Sequence, residues 1–226
     1  MGKAGHSDRG EALLTTPFEE FAREHLPALP ARVLDVGCGQ GELTTALSVA
    51  GYDVLGIDPL APHQDDLFRR LKLEDVEGSE SFDAIVASYS LHHIRDLDAG
   101  LDKIAELLRP GGVIAVDEFA WDRLDDTTLD WLYGQQRALA AAGHGKVPAS
   151  QDELRRDWSA EHLGLHGFSA LRKGLDARFD ELEFAWLPYL HRTLAGVATE
   201  VLEQALIDAG AIQALGFRYA GVVRPA

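Results

Sequence analysis

Gly37, Gly39 and Gly41 alternate with other residues directly after the apolar run Val33-Leu34-Asp35-Val36, and Asp58 closes a second run, Asp53-Val54-Leu55-Gly56-Ile57. Glycines at every second position let the backbone turn sharply and lie against a ligand, because no Cβ intervenes. The N–H groups at the mouth of the helix that follows then face whatever polar group sits there. A carboxylate about twenty residues beyond the first glycine is spaced to accept hydrogen bonds from a ribose diol. His92 and His93 are the chain's only adjacent histidines. Imidazole titrates near neutrality, so one of them could orient a ligand or act as a base. A paired-histidine metal site is not expected, because neighbouring side chains diverge and no third ligand stands nearby. Asp117 and Glu118 follow the apolar run Val113 to Val116. They could bind a cationic group, take a proton, or equally hydrogen-bond a neighbouring loop. Tyr189 and His191 stand just past another strand-like run, Arg178 to Pro188.

The glycine spacing discriminates among ribose-bearing ligands. A nicotinamide or flavin site wants glycines at positions 37, 39 and 42, but position 42 is Glu and the third glycine comes one residue early. A carboxylate there would also stand near a pyrophosphate, which like charge disfavours. The string Val33-Leu34-Asp35-Val36-Gly37-Cys38-Gly39-Gln40-Gly41 instead resembles motif I of the class I S-adenosylmethionine-dependent methyltransferases. Two further strings carry the resemblance. One is Phe82-Asp83-Ala84-Ile85 with its Leu91-His92-His93 tail, and the other is Leu107-Leu108-Arg109-Pro110-Gly111-Gly112-Val113 running on to Phe119. The motifs cover Val33 to Phe119, and the remainder is similar only in the order of its elements. The chain looks closest to the small-molecule branch that includes quinone C-methyltransferase-like enzymes. Nucleic-acid amine methylators carry an acidic-or-amide Pro-Pro-aromatic motif where this chain has Ala87-Ser88-Tyr89-Ser90, and arsenic methylators need several cysteines.

The resemblance implies S-adenosyl-L-methionine as cofactor and S-adenosyl-L-homocysteine as product. It implies that Asp35, Gly37, Cys38, Gly39 and Gly41 cradle the cofactor and that Asp58 holds its ribose. Pro59 and Leu60 would form a wall for adenine, with Glu74 preferred over Asp75 as acceptor for the adenine amino group. Ala87, Ser88, Tyr89 and His93 would flank the methionine end. Phe18 or Phe21 would shield the ligand from water, unless their helix simply packs on the sheet edge. The expected activity is methyl transfer to a small, partly apolar acceptor, with His92, His93, Asp117 and Tyr189 as catalytic candidates and Glu118 behind them. Motif I fits two alternatives equally: a non-catalytic module that binds the cofactor or its product, and non-methyl chemistry with the same cofactor. A NAD-dependent oxidoreductase is a distant third.

These residues need a scaffold, and the patterning supplies one. Val33–Val36, Asp53–Ile57, Phe82–Ser88 and Val113–Val116 read as buried strands, with a weaker strand around 70–73 preceded by a brief helix. Helical spacing runs over Pro17–Leu26, from Gly41 to Ala50, and after Asp96 through Leu97, Leu101, Ile104 and Leu108. The expectation is an α/β fold: a Rossmann-like, seven-stranded, mostly parallel sheet whose last strand, within Ile212–Val223, is antiparallel. One domain would span 1–226, with a helical cap inserted after the fifth strand at 120–178. The cap would comprise helices at Leu124–Ala142, after the capping box Ser150-Gln151-Asp152-Glu153, and at Phe168–Leu175. All four tryptophans fall after the fifth strand, so a water-excluding apolar pocket under the cap is expected. His144 and His166, in cap loops, are weaker site candidates. A helix from Leu194 to Ala209 would precede the last strand.

At 226 residues the chain can bury a sizeable core. A formal net charge of −16 repels nucleic-acid phosphates and anionic membranes, so neither partner is expected. A single cysteine excludes a disulfide framework, a cysteine zinc site and an iron–sulfur cluster, and with the last, radical chemistry on the cofactor. The polar Met1–Thr16 stretch reads as mobile at its start and lacks an apolar run, so a cytoplasmic location is expected. The acceptor's identity and the oligomeric state are not readable.

Overall fold

The computed structural model describes residues 16–61 and 63–225, and the reading made for residues 1–10 lies outside them. The first helix, α1 (Pro17–His25), starts where Thr16 Oγ1 accepts from the Glu19 N–H at 3.1 Å and Pro17 presets the first helical φ. It buries Phe18, Phe21 and Ala22. Then follow β1 (Arg32–Val36), α2 (Glu42–Val49), β2 (Asp53–Ile57), β3 (Phe68–Arg69), β4 (Phe82–Ser88), α3 (Leu97–Leu107) and β5 (Leu108–Phe119). The remainder comprises α4 (Asp126–Ala141), α5 (Gln151–Glu161), α6 (Phe168–Arg178), β6 (Phe179–Leu187), α7 (Val197–Asp208) and β7 (Gly216–Val223).

The seven strands lie in the order β3-β2-β1-β4-β5-β7-β6, and β7 runs antiparallel to both of its neighbours. This is the Rossmann-like sheet the sequence predicts. Alternate residues feed two apolar layers. Leu34, Val36, Ile85, Ile114 and Val116 face α3 and α6, while Val33, Ala84, Val86 and Ala115 face α1 and α2. Both faces are thus dry, which is why the central strands read as nearly continuous apolar runs.

Several boundaries differ from expectation. The third strand is only Phe68–Arg69, upstream of the predicted place. Among the described residues no helix stands between β2 and β3, where Asp65 turns the chain by accepting from the N–H groups of Leu67 and Phe68, each at 2.9 Å. The Arg109–Gly112 turn is taken up inside β5, where the pairing with β4 slips between Phe82 and Ala84. The last helix begins at Val197, since a 3₁₀ turn occupies Leu190–Thr193.

The expected cap divides. α6 packs on α3: Leu101 Cδ1 lies 2.5 Å from where a Gly174 Cβ would stand, and Arg178 pairs with Asp102 at 2.6 Å. α6 therefore covers the sheet, leaving α4 and α5 outside its layers. Their apolar faces close with Phe119, Leu190 and Leu215 into a third cluster that contains Leu129, Leu132, Leu154 and Trp158. In the capping box, Ser150 accepts from the Glu153 N–H at 3.2 Å, and Glu153 reaches back to Ala149 rather than to Ser150 itself.

Leu101 is fully buried at the meeting of α3 and α6. Leu101→Ala should lower the free energy of unfolding by about 2–5 kcal/mol, read from chemical denaturation.

Candidate functional site

The turn after β1 is held from three sides. Gly37 has φ +74°, and a Cβ there would stand 2.3 Å from the Ser90 Cβ. Ser90 Oγ donates to the Val36 carbonyl at 2.7 Å, pinning the end of β1 to the segment after β4. The N–H groups of Gly37 and Cys38 both donate to the Ile57 carbonyl, at 2.8 and 3.0 Å, and that of Gly41 to the Cys38 carbonyl. Asp58 accepts from Gly39 at 3.2 Å and from Leu60 at 2.7 Å. Within the turn these N–H groups are thus consumed by β2, by Asp58 and by the turn itself. What the turn leaves open is space, since nothing lies within 4 Å of where a Gly39 Cβ would be.

Two cavities flank this turn and share Gly37 and Tyr89. One, of about 620 Å³, is lined by Asp58, Pro59, Glu74 and His93. The other, of about 860 Å³, has Asp35, Cys38, Gly39, Ser88 and Asp117 on the sheet side. Arg218 of β7 adds to the sheet side, Phe18 closes the cavity from α1, and the far wall is built by His191, Arg192 and the α7 residues Glu200, Gln204 and Asp208. Buried Glu203 fastens that wall, accepting from the N–H groups of Tyr189, Leu190 and His191 at 2.7–2.9 Å. Tyr89, at the junction of the cavities, holds φ +49°, which is uncommon for a residue with a side chain. Its N–H donates to the Asp117 carbonyl at 2.7 Å, and the Arg192 guanidinium stands 4.4 Å over its ring. A two-lobed cleft with a carboxylate for a diol in one lobe, and an uncluttered glycine turn leading to the other, fits a nucleoside that bears an amino acid arm.

The sequence-derived residues divide accordingly. Asp35, Gly37, Cys38, Gly39, Asp58, Pro59, Glu74, Ser88, Tyr89, His93 and Asp117 come together around the two cavities; Asp75 does not. Leu60 is 86 % exposed and lines neither cavity. Ala87 is buried within the sheet, and Gly41 backs onto the Phe68 ring. His92 is 4 % exposed, with Nδ1 2.6 Å from Glu118 Oε2, and it lines neither cavity. Glu118 also accepts from the N–H groups of Leu91 and His92, so this pair serves as a structural clasp. Tyr189 stacks on Phe119 at 4.6 Å instead of facing the cavity. Phe18 lines the larger cavity and Phe21 does not. No tryptophan lines either one, so the expected pocket beneath α4 and α5 is not where these residues converge. His166 ties the chain after α5 to the histidine loop, with its N–H on the His92 carbonyl and its Nε2 2.8 Å from the Ile94 carbonyl. His144 lies on the surface.

Arg192 and Arg218 escaped sequence reasoning. A signal for Arg218 exists: the alternation Leu215, Phe217, Tyr219 leaves one charged side chain on the opposite face of an otherwise apolar strand.

Burial raises the Asp35 carboxyl to about 6, against hydrogen bonding from Thr44 Oγ1 at 2.6 Å. Burial likewise lifts Asp117 to about 6, opposed by Arg218 and Arg192. The Cys38 thiol is pushed up to about 12 by burial and by Asp35 and Asp58, so it is no nucleophile. Burial and its neighbour His92 hold His93 below the usual imidazole range, favouring the neutral ring. Among the described residues no cluster of metal-ligating side chains occurs, and no helix is long and apolar enough to cross a membrane.

A family model described as a methyltransferase domain matches residues 9–166. The mitochondrial ubiquinone biosynthesis O-methyltransferase of Homo sapiens is 36% identical over 125 residues, which is 48% of this chain and 33% of that protein. The corresponding protein of Nitrobacter winogradskyi is 34% identical over 110 residues, 43% of this chain and 42% of its own length. The matches thus span between a third and just over two fifths of the length of these curated relatives. Among solved structures, Burkholderia thailandensis 1,6-didemethyltoxoflavin-N1-methyltransferase, holding S-adenosylhomocysteine, superposes with TM-score 0.58 at 18% identity. That superposition covers 93% of this chain and 78% of the other, and it shows the shared fold.

The raised Asp35 carboxyl has a sign to test. The folded state binds its proton more tightly than the unfolded chain does, so this group adds stability as pH falls from above about 6 toward 4. Asp35→Asn should make that rise in thermal midpoint smaller, leaving the share that the similarly raised Asp117 contributes, followed by circular dichroism between pH 7 and 4.5.

Proposed function

The chain belongs to the methyltransferase domain family, S-adenosylmethionine-dependent enzymes, and from that premise we propose that it methylates an oxygen of a small, partly apolar acceptor. One observation carries the reading. The Asp58 carboxylate at the end of β2 rims one lobe, while the turn at Gly37 and Gly39 opens into a second lobe that ends on a buried carboxylate. S-adenosylmethionine, when bound, supplies a methyl group on a cationic sulfonium, which needs alignment more than activation.

In this reading Asp58 binds the ribose, Pro59 and Glu74 border the adenine, and His93 closes that lobe as a neutral ring. Asp35, Gly37, Cys38, Gly39 and Ser88 receive the methionine arm. Phe18 covers the larger lobe from the α1 side, opposite the polar α7 wall. Orientation of this kind can contribute about 7–11 kcal/mol in well-aligned systems. Asp117 is the proton acceptor when the nucleophile arrives as a hydroxyl: it is buried, faces the larger lobe, and above about pH 6 is ionised. His92, clasped by Glu118, positions the loop and takes no proton from substrate. Oxygen as the nucleophile is supported by the names of the human and Nitrobacter winogradskyi relatives, both O-methyltransferases.

Asp58→Ala removes charge-assisted hydrogen bonds to the ribose and should weaken S-adenosylhomocysteine binding by roughly 10- to 100-fold in titration calorimetry. An unchanged affinity would end the assignment. Incubating the protein with methyl-labelled cofactor and a panel of small hydroxylated molecules tests transfer itself. A labelled product supports the enzyme, and tight binding with no product from any of them supports a binding module.

A further inference from the structure

Resting on that reading of the larger lobe, we propose that Asp117 and Arg218 select the acceptor together, gripping a molecule that carries a hydroxyl beside a carbonyl oxygen. Strand register makes the pair. Parallel pairing sets Ser88 opposite Asp117, and antiparallel pairing sets Asp117 opposite Arg218. Side chains alternate along each strand, so this cross-strand row lies on one face, the face under α1, and all three residues line the same cavity.

The two groups form a loose ion pair with no hydrogen bond between them. Arg218 Nε lies 3.8 Å from Asp117 Oδ1, beyond hydrogen-bond reach, and the side chains are 16% and 4% exposed. Both atoms are buried and have no hydrogen-bond partner among the described residues. Buried polar groups are rarely left open, and a ligand that supplies both partners removes the cost. The open pair is one acceptor beside one donor. Its complement is an edge of the reverse sense: an O–H for Oδ1 and, on a substituent of the neighbouring carbon, a carbonyl oxygen for the Nε–H. Arg192 adds a second positive charge near Asp117, while Glu200 and Asp208 stand on the α7 wall. The Arg218 guanidinium lies 5.7 Å from the centre of the Phe21 ring, which steadies it from the α1 side.

Salicylamide, with hydroxyl and carbonyl adjacent, is the probe, and benzamide and phenol are its two halves. Protein saturated with S-adenosylhomocysteine is titrated with each by calorimetry at pH 7.5. Wild type should bind salicylamide about tenfold or more tightly than either half. Arg218→Gln should cost salicylamide and benzamide about tenfold while moving phenol by less than about twofold. Asp117→Asn should weaken phenol and salicylamide and spare benzamide. Arg218→Gln should leave the affinity for S-adenosylhomocysteine unchanged. Where Arg218→Gln loses its cooperative melt, Arg218→Lys carries the same expectation, since it keeps the charge without the Nε–H. Equal binding of salicylamide by wild type and the Arg218 variants overturns the proposal, as does a wild type that fails to prefer salicylamide over its halves. Wild-type protein that ignores S-adenosylhomocysteine overturns the broader reading as well, and that titration is done first.

Discussion

The missing side chain at Gly37 is the constraint on which the cleft depends. Its absence lets Ser90 approach until the serine hydroxyl reaches the Val36 carbonyl, and any Cβ would collide with it. That contact locks the end of β1 to the tail of β4, so both strands finish at one level. The two lobes then open on either side of the joint, sharing Gly37 and Tyr89 as their common boundary. The left-handed backbone at Gly37 and the unusual φ of Tyr89 are the local costs of that arrangement.

A second buried interaction explains the histidine pair. Glu118 sits at the end of β5 with no exposure, and it meets the backbone of Leu91 and His92 as well as the His92 ring. A charged acceptor serving several donors is a strong clasp. It turns the chain so that His93 comes to one lobe while His92 packs edge-on to Phe119. Adjacent histidines, identical in the sequence, thus take unlike duties because one carboxylate selects between them. His166 then stitches the chain after α5 onto the same loop.

Features encoded locally were legible in the sequence. The glycine turn, Asp58 at a strand end and the helix caps at Asp96 and Ser150 depend on residues within a few positions, and they fold as their types dictate. Features set by distant pairing were not. β3 is a two-residue edge strand with no periodicity to find. The far wall of the larger lobe comes from the turn after β6 and from α7, which reach the cleft only because β7 inserts between β5 and β6. Aromatic content pointed to α4 and α5 instead, where Trp121, Trp131 and Trp158 serve that layer's own core. Arg218 becomes meaningful only once antiparallel register sets it beside Asp117.

Glu203 gives the α7 wall a mechanical character. Three backbone donors of the preceding turn converge on a carboxylate that has no exposure. Drawing the helix outward alone would strand all three, so helix and turn travel as one panel. The fastener lies on the panel's inner face, whereas Glu200, Gln204 and Asp208 are its replaceable tiles. A lineage could therefore exchange those tiles to admit differently shaped guests without loosening the frame that carries them.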